Sequence, residues 1–262
     1  MDLGISGKKA LITGADSGIG FEVARQLLAE GVTVIMTDQK QDELDTAAAQ
    51  LGVEHAFAAD VTDVASIAAL REQVEAAVGD IDILVQCAGI TGAQGFFHEI
   101  DDDGWTNTLE VDLMGPVRLV SAFLPALRRN GWGRLILTAS EDGVQPYDDE
   151  IPYCAAKAGV LALMKGLSRT YAKEGLLVNA VSPAFIHTPM TDAMMEKRAD
   201  EEGMSVDEAI ETFLTEKRPY MALKRRGEPE EVAAVMVFLC SQQASFVNGA
   251  NYRVDSGAVA SI

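Results

Sequence analysis

Short apolar runs of strand length alternate along the chain with longer segments whose apolar residues recur at helical spacing. The predicted strands are 9–13, 32–37, 54–58, 81–86, 135–138 and 177–181, and the predicted helices are 21–30, 65–78, 105–128 and 153–173. No linker or repeat interrupts this alternation. The pattern predicts an α/β fold, a doubly wound and mainly parallel sheet with helices on both faces, in a single domain over residues 1–262.

A glycine-rich turn separates the first predicted strand from the first predicted helix. Residues 13–20 read Thr-Gly-Ala-Asp-Ser-Gly-Ile-Gly, and the strand at 32–37 completes a βαβ unit. Glycine permits positive φ and lets a pyrophosphate approach the amides of a helix N-terminus, where the helix dipole favours anions. The spacing differs from the commoner Gly-x-Gly-x-x-Gly, but its position between strand and helix predicts dinucleotide binding. The predicted cofactor contacts are Gly14, Ser17, Gly18, Ile19 and Gly20.

Asp38 stands at the end of the second predicted strand. A carboxylate there accepts hydrogen bonds from the adenosine ribose and repels a 2′-phosphate. Position 17 is Ser and position 39 is Gln, so neither supplies a compensating positive charge. We therefore predict NAD as the cofactor. The alternative is that Asp38 only caps the next helix, near Asp42 and Glu43.

Tyr153 and Lys157 lie four residues apart on a predicted helix, downstream of Ser140 at a strand end. Residues at this spacing project from the same helix face, with Cβ atoms about 5–6 Å apart. A nearby ammonium favours the phenolate and lowers the pKa of a tyrosine from about 10 toward the working range. Such pairs also occur by chance, but behind a nucleotide-binding turn this one predicts acid–base catalysis by Tyr153.

These segments together make the chain resemble the single-domain branch of the short-chain dehydrogenase/reductase family over nearly its whole length. The matching segments are the glycine turn, Asp60-Val61, Cys87-Ala88-Gly89, Ser140, Tyr153-x-x-x-Lys157, Ser182-Pro183 through Thr188, and Val254-Asp255-Ser256-Gly257. The resemblance implies a seven-stranded, Rossmann-type sheet. It also implies hydride transfer between a substrate carbon and C4 of the nicotinamide.

The resemblance further implies a role for individual residues. Asp60 and Val61 are expected to hold the adenine, and Thr188 to contact the nicotinamide carboxamide. Ser140 is expected to hydrogen-bond to the substrate oxygen. The cofactor contacts implied beyond the glycine turn and Asp38 are Asp60, Val61, Ala88, Gly89, Tyr153, Lys157 and Thr188.

The chain departs from the family pattern at three places. Gln86-Cys87 replaces Asn-Asn, and Ala184 replaces the glycine that usually follows Pro183. Asp112 replaces an asparagine that, in many relatives, holds a water in a proton relay to the lysine. Asp112 can hold a water too, but it can also carry a charge. We include Asp112 among the predicted catalytic residues, and the alternative is a carboxylate paired elsewhere.

Composition narrows the possible partners and location. The formal net charge is −19 over 262 residues, which argues against nucleic acid or an anionic membrane, because binding phosphates requires a basic face. Three scattered cysteines indicate reduced thiols in the cytoplasm. The chain starts without a signal-like segment and contains no apolar run of membrane-spanning length. We predict a cytoplasmic protein without a metal site.

Two further stretches concern the surroundings of the site. Residues 185–226 are longer than a strand-to-helix connection requires and hold Met190, Met194, Met195 and Met204, which predicts an apolar lid. With Val144, Tyr147 and Ile151, they predict a mostly apolar substrate around one hydroxyl or ketone. Helix 153–173 is apolar on more than one face, and with the apolar run 232–240 it predicts a homotetramer. The alternative is a helix sandwiched within the monomer.

The sequence thus predicts an NAD(H)-dependent enzyme that interconverts a secondary alcohol and a ketone on a small, mostly apolar molecule. The alternative enzyme is a 3-oxoacyl reductase acting on carrier-protein or CoA thioesters. Such enzymes grip an acidic carrier with basic residues, but the corresponding segments here read Gly-Trp-Gly at 131–133 and Lys-Glu-Gly at 173–175. A third possibility, a non-catalytic NAD-binding scaffold, is favoured only by Asp112.

Overall fold

A single parallel sheet forms the centre of the molecule. The computed structural model describes residues 2–261, and across them the seven strands are β1 (Lys9–Thr13), β2 (Thr33–Thr37), β3 (His55–Ala56), β4 (Ile83–Gln86), β5 (Gly133–Thr138), β6 (Leu176–Pro183) and β7 (Asn251–Val254). Their order is β3-β2-β1-β4-β5-β6-β7, with every pairing parallel. The chain runs outward from β1 in one direction and from β4 in the other, so a crevice opens where the order reverses.

Helices cover both faces of the sheet. They are α1 (Gly18–Ala29), α2 (Gln41–Leu51), α3 (Val64–Val78), α4 (Asp102–Leu109), α5 (Gly115–Arg129), α6 (Ile151–Tyr171), α7 (Pro189–Glu202), α8 (Val206–Thr212) and α9 (Pro229–Cys240). Leu11 packs in one apolar core with α3, α5 and α6, whereas its neighbour Ile12 packs in a second core with α1, α2 and α9. Successive strand residues point to opposite faces, so both faces are buried. The predicted doubly wound fold is confirmed.

The predicted helix 105–128 is wrong as a single element. The segment forms α4, then a π-helical turn at Glu110–Met114, then α5. Pro116 is the physical cause, because it has no amide to donate to the carbonyl of Asp112 four residues earlier. The wider turn is typical of functional sites, and it leaves Asp112 fully buried.

The segment 185–226 is folded rather than loose. It contains α7, α8 and a π-helical turn at Phe213–Lys217. Phe185, Met195 and Phe213 are the centre of a third, smaller apolar cluster. Capping boxes begin both α7 and α8, which stabilises these helix starts. Within the described part of the chain, no helix has both the length and the apolar character that crossing a bilayer requires.

Candidate active site

One cleft gathers every site residue that the sequence predicts. It opens at the carboxyl ends of the central strands and has a cavity volume of about 430 Å³. The predicted residues that line it are Gly14, Ser17, Gly18, Ile19, Gly20, Asp38, Asp60, Val61, Ala88, Gly89, Asp112, Ser140, Tyr153, Lys157 and Thr188. Their convergence from eight separate segments makes this cleft the candidate active site.

The turn before α1 requires its glycines. Gly14 and Gly18 have φ of +65° and +56°, which side chains rarely tolerate. A Cβ on Gly14 would lie 2.7 Å from the Ala88 amide nitrogen, and one on Gly20 would lie 2.0 Å from the Gly14 carbonyl oxygen. The Ser17 hydroxyl donates to Asp16 and does not cap α1. The first-turn amides therefore suit the pyrophosphate of a dinucleotide.

Asp38 lies at the strand end where an adenosine ribose is expected. Its carboxylate accepts hydrogen bonds from the Gln39 amide at 2.7 Å and the Asp16 amide at 3.5 Å. Burial raises the pKa of Asp38, with nearby Asp16 adding to the rise and the Gln39 bond opposing it. The alternative that Asp38 caps α2 is wrong, because the residue at that position is Lys40. The Lys40 ammonium pairs with Glu43 at 2.8 Å.

Asp60 follows β3 and is fixed by its neighbours. Its carboxylate accepts bonds from the Thr62 hydroxyl at 2.7 Å and the Thr62 amide at 2.8 Å, and these bonds lower the pKa of Asp60. Its second oxygen accepts from the Gln39 amide side chain at 3.2 Å. Gln39 therefore stands between the two carboxylates, Asp38 and Asp60, at the adenosine end of the cleft.

The catalytic candidates come from two elements. Ser140 follows β5, whereas Tyr153 and Lys157 lie in the first turns of α6. The Lys157 ammonium is 5.2 Å from the centre of the Tyr153 ring and donates to the Thr138 carbonyl at 3.3 Å. The predicted pair thus shares one helix face.

The prediction that the pKa of Tyr153 is lowered is wrong. Burial, followed by the charges of Asp112, Asp142 and Glu141, raises the pKa of Tyr153 well above its usual value, with the Ser140 hydrogen bond opposing the rise. The physical reason is that the phenol is buried, and that carboxyl groups lie around it, one of which pairs with the Lys157 ammonium.

Asp112 is that paired carboxyl group. Its Oδ1 lies 3.1 Å from Lys157 Nζ, with both side chains buried, and accepts from the Ile90 amide at 3.3 Å. Its Oδ2 is buried without a hydrogen-bond partner among the described residues. Burial raises the pKa of Asp112 and the Lys157 charge opposes that rise. A Cβ on Gly89 would lie 2.7 Å from Oδ1, so glycine is needed there.

Sequence reasoning missed a buried charge cluster next to Ser140. Arg218, at the end of the second π-helical turn, lies 3.4 Å from the Glu141 carboxylate and 3.0 Å from that of Glu150. Its guanidinium stacks 3.5 Å from the centre of the Tyr147 ring. Asp142 is buried in the same cluster. Two acidic residues directly after a strand-end serine were the available signal.

The methionines of segment 185–226 divide between the cleft and the third apolar cluster. Met190 and Met194 line the cleft with Phe213, whereas Met195 is buried in that cluster. The three residues predicted to extend the apolar wall, Val144, Tyr147 and Ile151, do not line the cleft, whereas Glu141, Asp142, Glu150 and Arg218 of the charge cluster do. The substrate end therefore has an apolar side and a carboxyl-rich side.

Thr13 is a second residue that the sequence did not single out. Its hydroxyl accepts hydrogen bonds from the Cys87 and Ala88 amides at 3.2 and 3.1 Å, which ties the end of β1 to the segment after β4. Gln86, a departure from the family pattern, donates to the Ala88 carbonyl. Thr188 caps α7 through a reciprocal contact with Thr191. Both sides of the cofactor groove are therefore fixed by short polar side chains.

The fold and the cleft together define a nicotinamide-dependent oxidoreductase. A pyrophosphate-binding turn, strand-end carboxylates and a Ser, Tyr and Lys group occupy the positions that hydride transfer from a dinucleotide requires. Within residues 2–261, no group of three or more His, Cys, Asp or Glu side chains is arranged to hold a metal ion.

Comparison with known proteins agrees with this class. A family model described as enoyl-(acyl carrier protein) reductase matches residues 14–259. Meso-2,3-butanediol dehydrogenase of Serratia marcescens is 36% identical over 97% of this chain and 95% of its own length. A 3-oxoacyl-[acyl-carrier-protein] reductase of Salmonella typhimurium is 33% identical over 97% and 98%.

A solved structure extends the likeness to three dimensions. L-sorbose reductase from Gluconobacter frateurii, in complex with NADPH and L-sorbose, superposes with a TM-score of 0.93 at 33% identity and covers 100% of both chains. The chain belongs to the short-chain dehydrogenase/reductase family. It is an oxidoreductase that binds a nicotinamide cofactor.

Proposed function

We propose that this enzyme interconverts a secondary alcohol and a ketone on a small molecule, with NAD(H) as the cofactor. The observation that carries the proposal is the convergence of Ser140, Tyr153 and Lys157 on the cleft that also holds the glycine turn. The nicotinamide, when bound, accepts or supplies the hydride.

Each residue has a distinct role in the proposed reaction. Ser140 binds the substrate oxygen, and Tyr153 takes or gives its proton. Lys157 binds the nicotinamide ribose and provides a positive charge beside the phenol. Asp112 holds the other side of the lysine ammonium at 3.1 Å, so Asp112 and the Tyr153 phenolate compete for the same positive charge.

The preference for NAD over NADP rests on Asp38. Its carboxylate lies at the ribose end of the groove, next to the neutral Gln39 and the second carboxylate, Asp60. A 2′-phosphate placed there would meet the negative charge of both carboxylates, and the nearby Lys40 pairs with Glu43. The sorbose reductase was solved with NADPH, so relatives of this chain differ in this choice.

The substrate proposed is a small alcohol or ketone rather than an acyl thioester. Two basic side chains near the segments that could grip a carrier protein are neutralised, since Arg128 pairs with Glu174 at 2.6 Å and Arg129 with Asp80 at 2.7 Å. The carboxyl groups beside Ser140 favour a substrate that carries hydroxyl groups. A 3-oxoacyl reductase is the second candidate, supported by the similarity to the Salmonella enzyme.

The test is a substrate screen with the purified protein. Reduction of NAD is followed by absorbance against secondary alcohols, vicinal diols, sugar alcohols and a 3-hydroxyacyl thioester, with NADP as the matched cofactor control. We expect the highest kcat/KM with a small alcohol or diol and NAD. The highest kcat/KM with the thioester would favour the second candidate, and NADH binding without any turnover would favour a non-catalytic scaffold.

Two further proposals concern location and assembly. The cysteines Cys87, Cys154 and Cys240 are all free thiols, which supports a reducing, cytoplasmic location. We also propose a homotetramer, which a measurement of mass tests below.

A further inference from the structure

Ser140 makes a hydrogen bond that its proposed role does not require. Its hydroxyl donates to Glu141 Oε2 at 3.3 Å and accepts from the Asp142 amide at 3.2 Å. Glu141 is only 2% exposed, and its other oxygen lies 3.4 Å from Arg218 Nε. The residue proposed to bind the substrate oxygen is therefore itself held by a buried carboxyl group.

The surroundings of Glu141 hold more carboxyl groups than positive charges. Arg218 faces it from the lid, Glu150 from the start of α6, and Asp142 from the same turn. Tyr153 faces it from α6, as the effect of Glu141 on that phenol shows, and Tyr147 lies beneath Arg218. Burial raises the pKa of Glu141 to about 7, with Arg218 opposing the rise and Glu150 adding to it. Both forms of Glu141 are thus present at working pH.

A serine hydroxyl has one hydrogen to donate and two lone pairs. The Asp142 amide occupies one lone pair, and in a Tyr153→Phe background the phenol, which also bonds to Ser140, no longer competes for the rest. When Glu141 is ionised it can only accept, so the serine hydrogen points to Glu141 and the remaining lone pair is left for a donor. When Glu141 is protonated it can donate to Ser140, and the serine hydrogen is then free for an acceptor. An alcohol offers a donor as well as lone pairs and can meet either arrangement, whereas a ketone offers only an acceptor and can meet only the second.

We infer that Glu141, held by Arg218, is a positioning residue that sets the direction of the Ser140 hydroxyl and thereby selects between alcohol and ketone. The ionised carboxylate favours the alcohol by excluding the ketone, and the protonated carboxyl group admits both. This inference rests on the proposed alcohol–ketone function. Because Arg218 belongs to the segment 185–226, the same ion pair connects the proposed lid to the serine.

The experiment measures binding rather than turnover, because turnover releases or consumes a proton at Tyr153. In a Tyr153→Phe background, the enzyme with bound NADH is titrated with acetoin and with meso-2,3-butanediol, or with the best ketone and alcohol pair of the substrate screen. The readout is NADH fluorescence between pH 6 and pH 9. We expect the ratio of the ketone Kd to the alcohol Kd to rise about tenfold or more, as expected for one hydrogen bond to a charged group.

Two variants in the same background test the cause. Glu141→Gln cannot ionise, so the ratio should no longer depend on pH. Ser140→Ala removes the hydroxyl itself and should also flatten the ratio, which keeps the test valid if Glu141→Gln fails to fold. The matched control is Glu150→Gln, which loses a carboxyl group on the same arginine without touching Ser140. It should keep the pH dependence but move it to lower pH, because Glu150 raises the pKa of Glu141.

The outcomes separate this inference from the proposed function. A ratio that keeps its pH dependence in Glu141→Gln or Ser140→Ala overturns the inference, and so does a ratio independent of pH in the Tyr153→Phe parent. A ratio that flattens equally in Glu150→Gln would show that the cluster has only a structural role. If the wild-type enzyme turns over no alcohol in the screen, the proposed function fails first.

Discussion

At the scale of single residues, the positive charge of Lys157 acts on two acidic groups, the Asp112 carboxyl and the Tyr153 phenol. Its ammonium lies 3.1 Å from the Asp112 carboxylate and 5.2 Å from the centre of the Tyr153 ring. A charge that is already paired stabilises a nearby phenolate less than a free one does. The lysine is therefore a weaker activator of Tyr153 than the sequence predicts.

Replacing Tyr153 by Phe tests the proton-transfer role. The variant lacks the hydroxyl but keeps the ring, so we expect kcat to fall by more than about a hundredfold, as for a lost general acid or base. The Kd for NADH should change little, because the glycine turn and Asp38 lie elsewhere in the cleft. Lys157→Ala should weaken both turnover and NADH binding. A Tyr153→Phe variant that retains more than about a hundredth of wild-type kcat would rule out this role.

Asp112→Asn tests the unusual carboxyl group beside the lysine. Ionised Asp112 places negative charge near Tyr153 and is one cause of its raised pKa. Alcohol oxidation needs the phenolate, so kcat/KM for oxidation should rise with pH through a lower apparent pKa in the variant than in wild type. These values belong to the coupled cluster of Asp112, Lys157 and Tyr153. Superimposable pH profiles would show that Asp112 does not act on the phenol.

Asp38→Asn tests the choice of cofactor. Wild type should prefer NAD. In the variant, kcat/KM for NAD divided by kcat/KM for NADP should be smaller than in wild type, because removing the carboxylate charge relieves repulsion of the 2′-phosphate. Each tenfold change in the ratio corresponds to about 1.4 kcal/mol. Asp42→Asn, an exposed carboxylate at the start of α2, is the matched control. Comparable kcat/KM for both cofactors in wild type would contradict the assignment.

At the scale of elements, the start of α1 requires the backbone at Gly20 to lie very close to the backbone at Gly14. A Cβ on Gly20 would lie 2.0 Å from the Gly14 carbonyl oxygen, which is itself backbone and cannot move aside cheaply. Gly20→Ala should therefore raise the Kd for NADH at least tenfold or lower the melting temperature. Glu22→Ala, two residues along the same helix, should do neither. Isothermal titration with NADH and thermal unfolding measure the two effects, and wild-type values for both in Gly20→Ala would contradict this reading.

Some of these structural elements could be predicted from the sequence, and others could not. Apolar runs identified β1 without error and the glycine turn identified the cofactor groove, because both signals are local. The division of helix 105–128 arises from Pro116 within an otherwise helical pattern, and propensity alone does not distinguish a kink from a π-helical turn. The pair of Glu141 and Arg218 joins residues 77 positions apart, the difference between 218 and 141. Such a contact depends on how segment 185–226 packs against the rest of the chain, which no local pattern reports.

At the scale of the whole molecule, two of the exposed apolar surfaces bear on assembly. On α6, Ala155, Ala158 and Ala162 are exposed, while Val160 and Met164 are buried against the sheet. The predicted second apolar face of this helix is therefore present at the surface of the chain. The alternative, a helix enclosed within the monomer, does not describe α6.

The second surface lies near the C-terminus. Phe246 is fully exposed, at 103% of its reference area, and Val235 and Phe238 of α9 are only partly buried. An aromatic side chain that contacts water on all sides costs free energy that burial at an interface would recover. Two apolar surfaces on different parts of one chain match the two kinds of two-fold interface in a tetramer with closed symmetry.

Size-exclusion chromatography with light scattering, at micromolar protein concentration, should therefore give a mass near four times the chain mass of 28.0 kDa. Phe246→Asp should place a charge in one interface and reduce the mass to that of a dimer, because only the α6 surface would remain paired. Val64→Asp is the matched control, since Val64 is 68% exposed at the start of α3 and lies on neither surface. A monomeric wild type would contradict the tetramer, whereas a tetrameric Phe246→Asp would remove the C-terminal surface from the interface and leave α6 to be tested in the same way.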